Sequence, residues 1–94
     1  MIGGETKSFI EGLNIGKEMV VLFNGERFLV QGWWENNQAH IVVDNLDKPH
    51  QNEYLWSFYG DNMSQCADAF LEAKIWNNKV FFDVENEMRW TDDW

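Results

Sequence analysis

The stretch Glu18-Met19-Val20-Val21-Leu22-Phe23-Asn24-Gly25-Glu26-Arg27-Phe28-Leu29-Val30, residues 18–30, decides how this chain folds. Two runs rich in β-branched and aromatic residues flank Asn24-Gly25, a pair that accepts positive φ at both central positions of a two-residue type I′ turn. Such a turn fixes the register. Phe23 is set opposite Glu26, Val21 opposite Phe28 and Met19 opposite Val30. The first strand is expected over Glu18–Phe23 and the second from Glu26 to about Glu35. Asn36-Asn37 offers another tight turn, into a third strand over Gln38–Asn45. That places Trp34 against Ala39, Gly32 against Ile41 and Val30 against Val43.

Side chains alternate along a strand, so this register sorts the meander into two faces. One face carries Met19, Val21, Phe23, Phe28, Val30, Trp34, Ala39, Ile41 and Val43, almost wholly apolar, and it requires a cover of helices. The other carries Glu18, Val20, Leu22, Arg27, Leu29, Gln31, Trp33, His40, Val42 and Asp44, as expected of an antiparallel sheet with one side partly wet. On that face His40 stands opposite Trp33, an expected cross-strand ring pair. Gly32, inside a strand, reads as a bulge or as room for a large neighbour such as Trp33 or Trp34.

Outside the meander, Thr6–Ile15 reads as a short helix with Phe9, Ile10 and Leu13 as its apolar stripe. Ser8-x-x-Glu11 has capping-box form, and Gly16 is placed to end the helix. Gly3-Gly4 reads as a mobile terminus. Leu46–Asn52 is a polar connection containing Pro49, followed by a fourth strand over Glu53–Tyr59 that Gly60 closes. Asp61 or Asn62 caps a second helix, Asn62-x-x-Gln65 resembles a capping box, and Met63, Cys66, Ala67, Phe70 and Leu71 form a continuous stripe. Asn77-Asn78 is the expected break. From Val80 to Trp90 the pattern fits both a strand and a helix, and Asp83, Glu85 and Glu87 favour a short helix over 81–88. The fold class is therefore a single α+β domain over residues 1–94, an antiparallel three- to four-stranded sheet with helices packed on one face.

Six tryptophans and a net charge of −9 dominate the composition of the 94 residues. Lys48 alone balances the acids of residues 35–72, and Arg89 alone those of residues 83–94. Such a field repels phosphate backbones and anionic lipid, which excludes direct nucleic-acid and membrane binding, and it attracts basic surfaces. It also serves simple solubility. The longest apolar run, Met19–Phe23, is far below the ~18 residues of a membrane span, and with no leader-like start the cytoplasm is the expected location. Cys66 is the only cysteine and reads as a small buried hydrophobe. His40 and His50 lack partners at ligand spacing, and no nucleophile–base pairing or phosphate-cradling glycine loop is present in the sequence. No catalytic residue, metal or cofactor is assigned, and a non-enzymatic protein is expected.

Two surface constellations remain. The first is Asp83, Glu85, Glu87, Asp92 and Asp93, punctuated by Trp90 and Trp94. Carboxylates beside aromatics suit a groove built for nucleic acid, and the same residues also fit a solvated helix face and tail. The second is Trp33, His40 and Gln31 with Glu35 and Asp44, on the mixed sheet face. Tryptophan is enriched at interface hot spots, and the alternative is that the 46–52 connection covers Trp33.

The segments Phe23-Asn24-Gly25-Glu26-Arg27-Phe28, Gln31-Gly32-Trp33-Trp34 and Ala69-Phe70-Leu71-Glu72-Ala73-Lys74-Ile75-Trp76-Asn77-Asn78-Lys79 give the chain its character. In size and charge it resembles the small acidic proteins of phages and mobile elements of Gram-positive bacteria, anti-CRISPR inhibitors among them. No motif carries a residue role across. The resemblance implies an inhibitor that mimics nucleic acid and blocks a basic, nucleic-acid-handling host defence enzyme such as a CRISPR effector. The alternative is a structural protein that forms a homodimer through the Trp33 face.

Overall fold

The computed structural model describes residues 1–48 and 54–91. Its elements run α1 (Thr6–Asn14), β1 (Met19–Phe23), β2 (Glu26–Glu35), β3 (Gln38–Asn45), β4 (Trp56–Gly60), α2 (Met63–Glu72), α3 (Phe81–Val84), a 3-10 turn (Glu85–Glu87) and β5 (Arg89–Thr91). The strands form one antiparallel sheet in the order β4-β3-β2-β1-β5, and the fold is α+β.

Both hairpins take the register that their turns dictate. Met19 pairs with Val30 and Phe23 with Glu26, while Gly32 pairs with Ile41 and Trp34 with Ala39. Asn24 and Gly25 have φ of 55° and 79°, and Asn36 and Asn37 have 51° and 66°. These left-handed conformations are ones that asparagine and glycine accept at low cost.

The apolar face is the floor of the core, roofed by Phe9 and Leu13 of α1, by Met63, Cys66, Ala67 and Phe70 of α2, and by Phe81 and Val84 of α3. Rings hold it together. Phe9 stacks on Phe81 at 5.4 Å, and Trp76 stands edge-on to Phe28 at 5.1 Å and to Phe23 at 5.7 Å. Each such pair contributes about 0.5–1.5 kcal/mol beyond its buried area. Asn62 caps α2 by accepting from the Gln65 backbone N–H at 2.9 Å. The Gln65 side chain reaches back to the Asp61 N–H, one residue earlier than in a strict capping box. Cys66 is fully buried, with its Sγ 3.3 Å from the Ala39 carbonyl oxygen, and burial pushes its thiol pKa up.

Several expectations are corrected. The sheet has a fifth strand, because the chain turns extended at Met88 after one helical turn and a 3-10 turn, and Arg89–Thr91 pairs with β1. The terminal helix therefore stops at Val84, and Trp90 belongs to a strand. Helix α2 ends at Glu72, five residues before Asn77. In a continued helix Trp76 would sit roughly 240° around the axis from Phe70, facing away from the core. The chain instead leaves the helix, buries Trp76 and reverses at Asn77-Asn78, where φ is 54° and 63° and Trp76 and Lys79 exchange backbone hydrogen bonds. Helix α1 begins at Thr6, so Ser8 lies inside it and caps nothing; Glu5 at the N-cap makes no side-chain bond. Gly60 is the last residue of β4 and not a stop beyond it.

Trp34 is 59% exposed although it shares the apolar face. Strand β1 begins opposite Val30, so this end of β2 has a strand neighbour on one side only. Beside it the Gly16 backbone closes in, accepting from the Gly32 N–H at 3.2 Å. A side chain at Gly32 would meet Gly16 Cα at 3.1 Å and Met63 Sδ at 3.0 Å. Gly32 thus makes room for a loop and a methionine; it is neither a bulge nor a tryptophan's berth. Gly3-Gly4 is pinned: Ile2 bridges to β5, and a Cβ on Gly4 would meet the Trp90 ring at 2.5 Å. The middle of the second face is also drier than expected, with Val20, Leu29 and Val42 buried. In the register Leu29 stands beside Val20 and Gln31 beside Val42. Pro49, His50, Glu53, Asp92, Asp93 and Trp94 lie outside the described residues.

Candidate functional site

Register alone assembles the most unusual site on the molecule. Trp33 on β2 pairs with His40 on β3, and His40 pairs with Tyr59 on β4. Three rings therefore stand in one row on the second sheet face. Trp33 meets His40 edge-on at 4.9 Å, and Tyr59 stacks on His40 at 3.8 Å with the planes 10° apart. Glu35, two residues after Trp33, falls in the next row on the same face. Tyr54, just before β4, lies against both Trp33 and His40 at 6.3 and 6.2 Å. Together with Ser57 these residues line a cleft of about 300 Å³.

His40 is the anomaly in this cleft. It is 3% exposed, and neither Nδ1 nor Nε2 has a hydrogen-bond partner among the described residues. A buried polar group left unmatched costs about 1–3 kcal/mol, so such groups are rare outside functional places. Glu35 Oε2 lies 3.6 Å from Nδ1, beyond a hydrogen bond. That carboxylate is held in place by the Tyr59 hydroxyl, which donates to Oε2 at 3.1 Å. Glu35 itself remains exposed at the rim.

The residues singled out from the sequence divide between two places. Trp33 and Glu35 come together in the cleft. Asp44 lies on the same face, nearer β1, half-buried and already engaged. Asp83, Glu85, Glu87 and Trp90 lie on α3, the 3-10 turn and β5, at the far edge of the sheet from β4. Asp83 and Glu87 are exposed, next to exposed Phe82. Glu85 is occupied in holding the fold: it accepts from the Met1 ammonium at 2.8 Å and from Thr6 Oγ1 at 2.7 Å. Those two bonds hold its carboxyl below the usual range. Trp90 is half-buried, edge-on to Phe9 at 5.5 Å, with Lys17 Nζ 5.5 Å above its ring. Asp92, Asp93 and Trp94 fall outside the described residues.

Sequence reasoning grouped His40 with Trp33 and Glu35 on this face but gave it no partner-binding role, and it missed Tyr54 and Tyr59. The available signal was the parity of β4: if β4 pairs with β3, Tyr59 must fall beside His40. That pairing is a tertiary fact, since ten residues separate the two strands. Among the described residues no group of three or more His, Cys, Asp or Glu is arranged to hold a metal ion, and no helix is long and apolar enough to cross a membrane. Family models, curated proteins and solved structures yield no match to this chain. What fold and site define is an acidic α+β domain with an aromatic, histidine-floored cleft.

Proposed function

We propose that this protein is a non-enzymatic binding protein whose partner presents a basic surface, of the kind that proteins handling nucleic acid use to hold phosphates. The observation that carries the reading is the net charge of −9 together with how the basic residues are used. Arg27 is forked onto Asp47, with Nη2–Oδ1 at 2.8 Å, Lys48 Nζ is 3.4 Å from Glu26, and Lys17 sits over Trp90. Three of the seven lysines and arginines are thus turned toward the protein's own groups. Carboxylates at Glu35, Asp83 and Glu87 stand exposed, Glu35 beside the exposed Tyr59 ring and Asp83 next to exposed Phe82. Carboxylates draw a cationic surface in and set the rate of encounter, while rings supply the contacts that water leaves. The protein would then occupy the partner's nucleic-acid groove as an inhibitor, in the manner of an anti-CRISPR protein on its effector.

The test is capture of the partner from host lysate on immobilised protein, followed by a salt titration of the purified pair. Affinity is expected to fall steeply as salt rises, and a competing duplex oligonucleotide is expected to displace this protein. A pair insensitive to salt, or a partner that holds its nucleic acid and this protein together, overturns the reading.

A further inference from the structure

The cleft around His40 has a chemistry that selects its occupant. Its outer polar group is an anion, Glu35, pinned by Tyr59, and its floor is an imidazole with both nitrogens unmatched. The walls are π surfaces from Trp33, Tyr54 and Tyr59. An anionic ligand is repelled by Glu35 and by the net charge of −9. An apolar ligand leaves His40 as unsatisfied as before. Among the described residues a metal ion finds one histidine and one carboxylate here, too few for a protein site. A planar cation rich in donors pairs with Glu35, lies along the π walls and offers an N–H to Nδ1 of the imidazole.

We propose that this cleft is a guanidinium receptor, and that it takes one arginine side chain of the basic partner. The proposal rests on the reading above. A guanidinium is the flat, five-donor cation that lies along aromatic faces and hydrogen-bonds through a rigid fork. Glu35 Oε2 and His40 Nδ1 are 3.6 Å apart, too far to bond each other and close enough for two N–H groups of one fork to reach both. The entering cation therefore neutralises the rim carboxylate and donates a hydrogen bond to Nδ1 of the buried imidazole. A cleft of about 300 Å³ holds the guanidinium and the adjoining part of its stem.

The experiment needs no partner, so its outcome is independent of the salt titration. Nα-acetyl-arginine methylamide, charged only on its side chain, is titrated into the intact protein. The imidazole nitrogens of His40 and the indole N–H of Trp33 are followed by NMR. Saturable shifts are expected at these two residues, at millimolar ligand, with Trp34 and Trp90 unmoved. The neutral citrulline analogue is expected to bind about tenfold more weakly, and the lysine analogue several-fold more weakly. Glu35→Gln, a surface change, is expected to lower the arginine affinity at least about fivefold without altering the melting temperature. No His40 response, equal binding of citrulline or lysine, or shifts spread evenly over all tryptophans overturns the proposal. If arginine binds as described while partner binding proves insensitive to salt, the receptor stands and the electrostatic reading of the partner falls.

Discussion

The two faces of the sheet use the same kinds of side chain to opposite ends. On the helical face Phe9, Phe23, Phe28, Phe70, Trp76 and Phe81 close on one another in edge-on, tilted and stacked pairs. On the second face Trp33, His40, Tyr54 and Tyr59 are packed nearly as tightly, yet they surround a cleft and leave both imidazole nitrogens without partners. The first arrangement uses rings to exclude water and stabilise the fold, and its one unmatched polar atom among the described residues is the Trp76 indole N–H. The second leaves two unmatched nitrogens on one imidazole, beside an open cleft.

The largest effect should come from the helical face. Trp76→Ala removes the ring that fills the space between β1, β2 and α2, and the expected loss is about 3–5 kcal/mol in urea unfolding. For a domain of this size that is a large share of total stability. A loss below about 1 kcal/mol would mean that the ring network is not what holds this face.

A smaller change of opposite sign sharpens the contrast. His40→Phe keeps a ring to stack on Tyr59 and removes both unmatched nitrogens. Stability is expected to rise by up to about 1–2 kcal/mol while the arginine response disappears. Destabilisation by more than about 1 kcal/mol would show that the imidazole is satisfied in the folded protein and that the cleft carries no polar cost.

The smallest effect belongs to two ion pairs. The Met1 ammonium and Thr6 hydroxyl hold the Glu85 carboxyl below its ordinary value of about 4.5, and Arg27 likewise lowers that of Asp47. A carboxyl whose folded pKa is depressed stabilises the protein above its unfolded pKa and loses that contribution as pH falls through the folded value. Stability should therefore hold above about pH 5 and decline progressively below it. Glu85→Gln should flatten part of that decline and cost under about 1 kcal/mol at neutral pH. An unchanged acid profile would place the proton uptake elsewhere.

Local chemistry determined much of this molecule without help. Asn24-Gly25 and Asn36-Asn37 admit left-handed backbone where few other residues do, so they set the registers of β1, β2 and β3 and, through them, which side chains share a face. Asn62 and the stripe from Met63 to Phe70 likewise announce α2 and its buried side. Where local preference was balanced, the tertiary structure decided. Burial of Trp76 overrode helix continuation, pairing with β1 made a strand of Arg89–Thr91, and the start of β1 opposite Val30 left Trp34 outside the core. The cleft belongs to this second class. Its row of Trp33, His40 and Tyr59 exists only once β4 docks on β3 across a ten-residue connection, and no preference within any one segment encodes that contact.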